Sequence, residues 1–250
     1  MITITPEQRT AAKLAGFLYL LQMAAAIFGY YAKDSLTVRG DAVQTAKNIV
    51  ASERLFRIGI ASDLITVAAV IILLWALYVV LKPINKNVAL LAAFLRLTEN
   101  SIAAVAALNG FIALRLLSGT AYLQAFDPTQ LQVLARLFVG VQGIGLSIAF
   151  VFCGLGSAVF SYLWLKSGYI PRALAAWGIF ASLVLAIVTL IIMVFPALGS
   201  VLGLTYMMPM GIYEVGLGLW LVVKGIREPK GSQRPTLNVQ RPTSNAEGSV

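Results

Sequence analysis

The sequence predicts an all-α fold: an integral membrane bundle of six transmembrane helices, with a short amphipathic helix between spans one and two. Three observations carry that expectation. Hydrophobic residues make up 59% of the 250-residue chain and charged residues only 12%, and the mean hydropathy is +0.86. A soluble domain with that balance would be covered in apolar surface. The apolar residues also fall in runs that match a hydrocarbon core of about 30 Å, which takes roughly 20 residues of helix to cross. Finally, the 19 Lys and Arg gather at the ends of those runs and form no patch. The formal net charge of +9 therefore points to the lipid bilayer as partner and away from nucleic acid.

The elements follow in order. Thr5-Pro6-Glu7-Gln8 reads as a capping box, with Thr5 as N-cap, Pro6 at the first helical position and Gln8 reaching back. The first span then runs to about Tyr31. Its apolar run continues past Ala24, Ala25 and Ala26, which favours an uncleaved anchor over a signal peptide cut there. Lys33 to Glu53 is the longest polar stretch between spans. Within it, Asp41 and Gln44 read as a second capping box, and Ala42, Ala46, Ile49 and Val50 follow helical spacing. This is the expected amphipathic helix, lying on the membrane surface.

The second span, Leu55 to Leu81, carries Asp63 and stops at Lys82-Pro83. The third covers Asn87 to about Leu117, and Gly119 breaks it. Asp127-Pro128 caps the fourth, Thr129 to about Lys166, which as a straight helix would exceed the hydrocarbon core at roughly 55 Å. Its first turns, with Gln130, Gln132 and Arg136, are expected to protrude or lie at the interface, and Gly140, Gly143 and Gly145 offer places to bend. Gly168 and Pro171 turn the chain into the fifth span, Ala173 to Phe195. Pro196 and Gly199 turn it into the sixth, Leu204 to Lys224, which Pro209 is expected to interrupt one turn before Glu214. Residues 1–228 make the membrane domain. Residues 229–250 switch to Ser, Pro, Asn, Gln and Arg and read as a disordered cytoplasmic tail.

Basic residues set the expected orientation. Arg9, Lys13, Lys82, Lys86, Lys166, Arg172 and the residues from Lys224 onward fall on one side. The opposite first loop mixes Lys33, Arg39 and Lys47 with Asp34 and Asp41. The expectation is a multi-pass protein of the cell (plasma) membrane with both termini cytoplasmic. Tyr19, Tyr30, Tyr31, Trp75, Tyr78, Tyr162, Trp164, Tyr169 and Trp177 lie near expected span ends and read as an interfacial aromatic belt.

Several chemistries are excluded at this stage. The chain has no histidine and a single cysteine, Cys153, inside an apolar run. Zinc sites, histidine-based triads and disulfides drop out, and neither a metal nor a cofactor is expected. There is no Gly-x-Ser-x-Gly elbow, and the glycines around Ser157 lack the phosphate-loop pattern.

What remains is charge at membrane depth. Arg96, Glu99 and Asn100 lie in the middle of an apolar run, where each ionisable group costs roughly 2.5–3.5 kcal/mol unless paired or wetted. On a helical wheel they share a face with Ala103, Ala107 and Gly110, while Phe94, Leu97, Val105 and Leu108 take the other. Glu214 lies at similar depth in the sixth span, between Gly211 and Gly218. Arg96, Glu99 and Glu214 are therefore expected to converge inside the bundle. Arg54, Arg57, Asp63, Arg115 and Arg136 form a shallower layer on the outer side, and together the two layers sketch a polar cavity opening outward. Gln142 is a further candidate for contact with something polar.

The candidate ligand-binding set is Arg57, Asp63, Arg96, Glu99, Asn100, Arg136, Gln142 and Glu214, with no catalytic residue assigned. Three readings stay open. The cavity binds or transports a small polar, anionic or amphipathic molecule, with a lipid headgroup among the candidates. Alternatively the charges form plain salt bridges, Arg96 with Glu99 or Glu214 with Arg136, that only fix helix packing in an accessory or structural protein. The third reading is an intramembrane enzyme with a carboxylate pair, for which no nucleophile motif speaks. A stripe of small residues at four-residue spacing, Gly145, Ala149, Cys153, Ser157 and Ser161, is a close-packing surface, either within the bundle or between subunits of a homo-oligomer.

These pieces together resemble a known family. Arg9…Gly16…Tyr19, Glu53-Arg54…Arg57…Asp63, Tyr78…Lys82-Pro83…Asn85, Arg96…Glu99, Cys153-Gly154, Gly168…Pro171-Arg172…Leu174 and Pro209…Glu214…Gly218…Trp220…Lys224-Gly225 follow one another in order over residues 9 to 225. The order is similar to that of the prokaryotic multi-spanning membrane proteins catalogued as domain-of-unknown-function family number 4386. The resemblance implies a bacterial six-span protein without an established activity. It directs attention to Glu53, Arg54, Arg57, Asp63, Arg96, Glu99, Pro171, Arg172 and Glu214.

Overall fold

Thr5 caps the first helix as its sequence demands: its hydroxyl accepts from the Gln8 amide, and Gln8 Oε1 accepts from the Thr5 amide at 3.0 Å. The computed structural model describes residues 4–228, and these are helical with connecting turns. The helices are α1 (Pro6–Asp34), α2 (Ala42–Ala51), α3 (Glu53–Leu81), α4 (Lys86–Leu116), α5 (Pro128–Ser167), α6 (Arg172–Val194), α7 (Pro196–Leu202) and α8 (Met208–Val223). Six helices are long and apolar enough to cross a membrane: α1, α3, α4, α5, α6 and the segment Thr205–Val223 that contains α8. The chain is therefore a multi-pass membrane protein with the expected order of spans. The tail expected over 229–250 lies outside the described residues.

Each spanning helix packs on the next, α1 on α3, α3 on α4, α4 on α5, α5 on α6 and α6 on α8, and α8 returns to α1. The six spans thus close a ring. Its apolar core lies toward the end where α1 begins and α8 ends, where Phe160, Leu163 and Trp164 of α5 meet Tyr213 and Leu217 of α8. Apolar side chains also cover the outside of the ring: Phe94, Val105, Ile144, Phe180 and Ile212 are each more than half exposed. Aliphatic and aromatic surface of that extent on every span needs lipid, not water, as its solvent.

The structure places the short helix and corrects three expectations. Helix α2 buries Thr45, Ala46 and Ile49 against the protein, and Ile49 joins Leu36, Phe56, Ile60 and Leu114 in a small satellite core. The expected short helix is therefore present and docked mainly against α5. Its capping box is half made, because Asp41 caps Gln44 while the Gln44 side chain turns forward to Asn48 at 2.9 Å. Pro209 does not interrupt the last span; it stands in the first turn of α8, where its missing N–H costs nothing, behind a 3₁₀ turn at Thr205–Met207. Among the aromatics, Tyr30, Tyr31, Trp75, Tyr162 and Trp177 are exposed as a belt would be, but Tyr19, Trp164 and Tyr169 are core residues, 4%, 0% and 0% exposed.

The small-residue stripe is spent inside the chain. Ala149, Cys153, Ser157 and Ser161 are buried, a side chain at Gly145 would lie 3.0 Å from Ala106 of α4, and Ser161 donates to the Tyr213 hydroxyl of α8 at 2.8 Å. It serves as an internal helix contact.

Candidate functional site: a buried arginine between two carboxylates

The helical wheel of α4 determines which of its residues face inward. Arg96, Asn100, Ala107 and Gly110 are buried, whereas Phe94, Leu97, Val105 and Leu108 on the opposite face are exposed. Arg96 is 2% exposed. Its guanidinium has charged or polar neighbours on three helices. Nη1 lies 2.9 Å from Glu99 Oε2, one turn along α4, and also donates to Cys153 Sγ of α5. Nη2 lies 3.8 Å from Glu214 Oε1 on α8. The Glu99 contact is an ion pair without hydrogen-bond alignment, since Oε2 accepts no hydrogen bond. Glu214 Oε2 accepts from Gln22 Nε2 of α1 at 3.1 Å, and Asn100 Nδ2 donates to the Val67 carbonyl of α3 at 3.0 Å.

Helices α4 and α8 are not neighbours in the ring, so the Arg96–Glu214 pair reaches across it. Gly156 of α5 makes room, because a side chain there would lie 2.7 Å from Arg96 Cγ. One cation thus serves two carboxylates in a layer built from α1, α4, α5 and α8.

A second polar layer lies toward the α2 end. Asp63 Oδ2 of α3 receives both Lys33 Nζ, from the last turn of α1, and Gln142 Nε2 of α5, the latter at 2.9 Å. Lys33 and Asp63 have side chains 11% and 19% exposed. Gln22 and Lys33 are eleven positions apart on α1, as are Cys153 and Gln142 on α5, so the layers are separated by about 16 Å along the helices. Lys33→Met removes the cation and leaves the Asp63 carboxylate with Gln142. We expect a loss of about 1–3 kcal/mol, less than for a fully buried pair, and recovery on adding Asp63→Asn. Melting temperatures of the two variants in detergent check this, and an unshifted single variant would refute it.

The other candidates lie apart. Arg57 pairs with Glu53 one turn earlier at 2.6 Å, with both side chains half exposed. Arg57 and Arg115 line one groove, and Arg136 lines another with Ala42, Val133, Leu137, Gly140 and Ile144. Neither groove is lined by Arg96, Glu99 or Glu214. Glu214 pairs with Arg96 and not with Arg136. Among the described residues no three His, Cys, Asp or Glu side chains form a metal-binding group.

Gln22, Lys33 and Cys153 belong to these layers and were not among the sequence candidates. Gln22 carried a legible signal, being a lone amide inside the apolar part of the first span. Lys33 had read as a loop charge and Cys153 as packing.

A family model described as "Domain of unknown function (DUF4386)" matches residues 14–225. The chain belongs to this family. No curated protein and no solved structure matches it. The DUF4386 match contains both polar layers entire, from Gln22 to Glu214, and its description assigns no activity to them.

Proposed function

We propose that the Arg96–Glu99–Glu214 layer is the binding site of a membrane protein that binds, and carries through the ring, a small polar molecule with a positively charged group. The observation behind this reading is the charge count: one guanidinium contacts two carboxylates at membrane depth. Two ionised acids sharing one cation leave a net negative charge in a medium of low dielectric, which is costly unless a proton or a cation joins them. An ammonium group meets that need. An anion does not, because Arg96 is already engaged by Cys153, Glu99 and Glu214.

A second reading is favoured by the near-complete burial of Arg96: the layer only ties α4 to α8. Thermal shifts of the purified protein with a panel of primary and quaternary amines, amino acids and dicarboxylates separate the two. The expected result is stabilisation by a cationic amine that is lost in Glu99→Gln. If no amine shifts the wild type, or the shift persists in both Glu99→Gln and Arg96→Ala, the binding reading is wrong.

A further inference from the structure

We infer that the groove between α3 and α4 at the α2 end of the bundle holds the phosphate headgroup of an anionic glycerophospholipid. The groove is independent of the layer just described, since Arg115 lies sixteen residues beyond Glu99 on α4, about 24 Å along the helix.

Its volume is about 430 Å³, and Arg57, Phe111, Ile112, Leu114, Arg115 and Ser118 line it. That is enough for a headgroup and the first methylenes of a lipid and falls within the usual size of small-molecule sites, roughly 300–1,000 Å³. The depth fits as well. Arg57 stands 24 residues before Leu81 at the far end of α3, and Arg115 stands 29 residues after Lys86 on α4. At 1.5 Å per residue these are heights of about 36 and 43 Å, above a hydrocarbon core of about 30 Å and level with the opposite headgroups. Phe111 lies one turn below Arg115, 39% exposed, where acyl chains begin.

The chemistry is that of phosphate recognition. Arginines from two helices line one groove, and a planar guanidinium can hold phosphate oxygens two at a time. Both arginines have partners within the chain, but the Arg57 and Glu53 side chains are half exposed, and such a surface pair is worth only about 0–1 kcal/mol. It does not compete with a headgroup phosphate. Ser118 donates to the Arg115 carbonyl at 2.7 Å, so its hydroxyl closes the helix end and the arginines carry the recognition. Apolar walls below two cations suit an amphipath better than a free ion.

Native mass spectrometry and thermal melting of the full chain in detergent test this, with phosphatidylglycerol, phosphatidylcholine and inorganic phosphate as probes. Phosphatidylglycerol should remain bound and raise the melting temperature by several degrees, whereas phosphatidylcholine and phosphate should not. The double variant Arg57→Gln/Arg115→Gln should lose about tenfold in phosphatidylglycerol affinity. Should that variant fail to fold, Arg115→Lys keeps the charge, removes the two-pronged geometry and should lose part of the affinity. The inference is overturned by equal retention of the two lipids, by undiminished phosphatidylglycerol binding in the folded variants, or by inorganic phosphate reproducing the shift.

Discussion

Arg96→Met is expected to lower the stability of the folded bundle in detergent by about 3–5 kcal/mol, the range for breaking a buried ion pair from one side. Methionine keeps most of the length that packs over Gly156, so the loss reports charge more than volume. Without the guanidinium, Glu99 and Glu214 face each other with Gln22 as the remaining donor to Glu214. The triple variant Arg96→Met/Glu99→Gln/Glu214→Gln removes all three charges and should recover most of the loss, because a neutral buried layer carries no desolvation debt. The midpoint of unfolding for wild type, single and triple variants is the measurement. A single variant within 1 kcal/mol of wild type would mean that Arg96 does not hold the two acids in the folded protein. The same set separates the two readings of the layer: a triple variant that is stable yet no longer shifted by an amine places binding, not only packing, at these charges.

The spans were legible because hydropathy over about 20 residues is a property of one segment, and each span in this chain is bounded by a cap, a proline or a glycine. The inward face of α4 was legible for the same reason, since Arg96, Glu99 and Asn100 recur with the helical period. Depth along a span also carried over, and it brought Glu214 to the level of Arg96. Helix-to-helix proximity has no such local signature. Periodicity says which way Cys153 points but not that Arg96 lies opposite, and it gave no reason to separate Arg136 from Arg57. Tyr19 shows a related limit. A tyrosine in an apolar run has an aromatic body suited to an interface and to a core alike, and the tertiary ring decides between them. Pro209 misled because the apolar run begins before the α-helix does, so a first-turn proline looked like an interior one.

Gly154→Ala should destabilise the bundle, although alanine is the better helix former by about 1 kcal/mol. Gly154 of α5 lies directly against α6. A methyl there would stand 2.5 Å from the Ser182 carbonyl oxygen, 2.7 Å from Ala186 Cβ and 2.8 Å from the Ala186 amide nitrogen. Two of those atoms are backbone, so no rotamer change relieves the contact and α6 must move away. Ala181, Ser182, Leu185 and Ala186 are buried along that contact and would separate together. Overpacking of this kind costs about 1–3 kcal/mol, and a backbone clash puts it at the upper end, which outweighs the gain in propensity. Gly143→Ala on the same helix is the control, because nothing lies within 4 Å of its added methyl and only the propensity term remains. The two variants should therefore move the melting temperature in opposite directions, Gly154→Ala down and Gly143→Ala level or up. A Gly154→Ala protein that melts at or above wild type would show that α5 and α6 do not approach as closely as described. Because Cys153 immediately precedes it, a shift of α5 away from α6 at this point would also disturb the sulfur's contact with Arg96, so Gly154→Ala should weaken any amine-induced stabilisation of the charged layer, whereas Gly143→Ala should leave it intact.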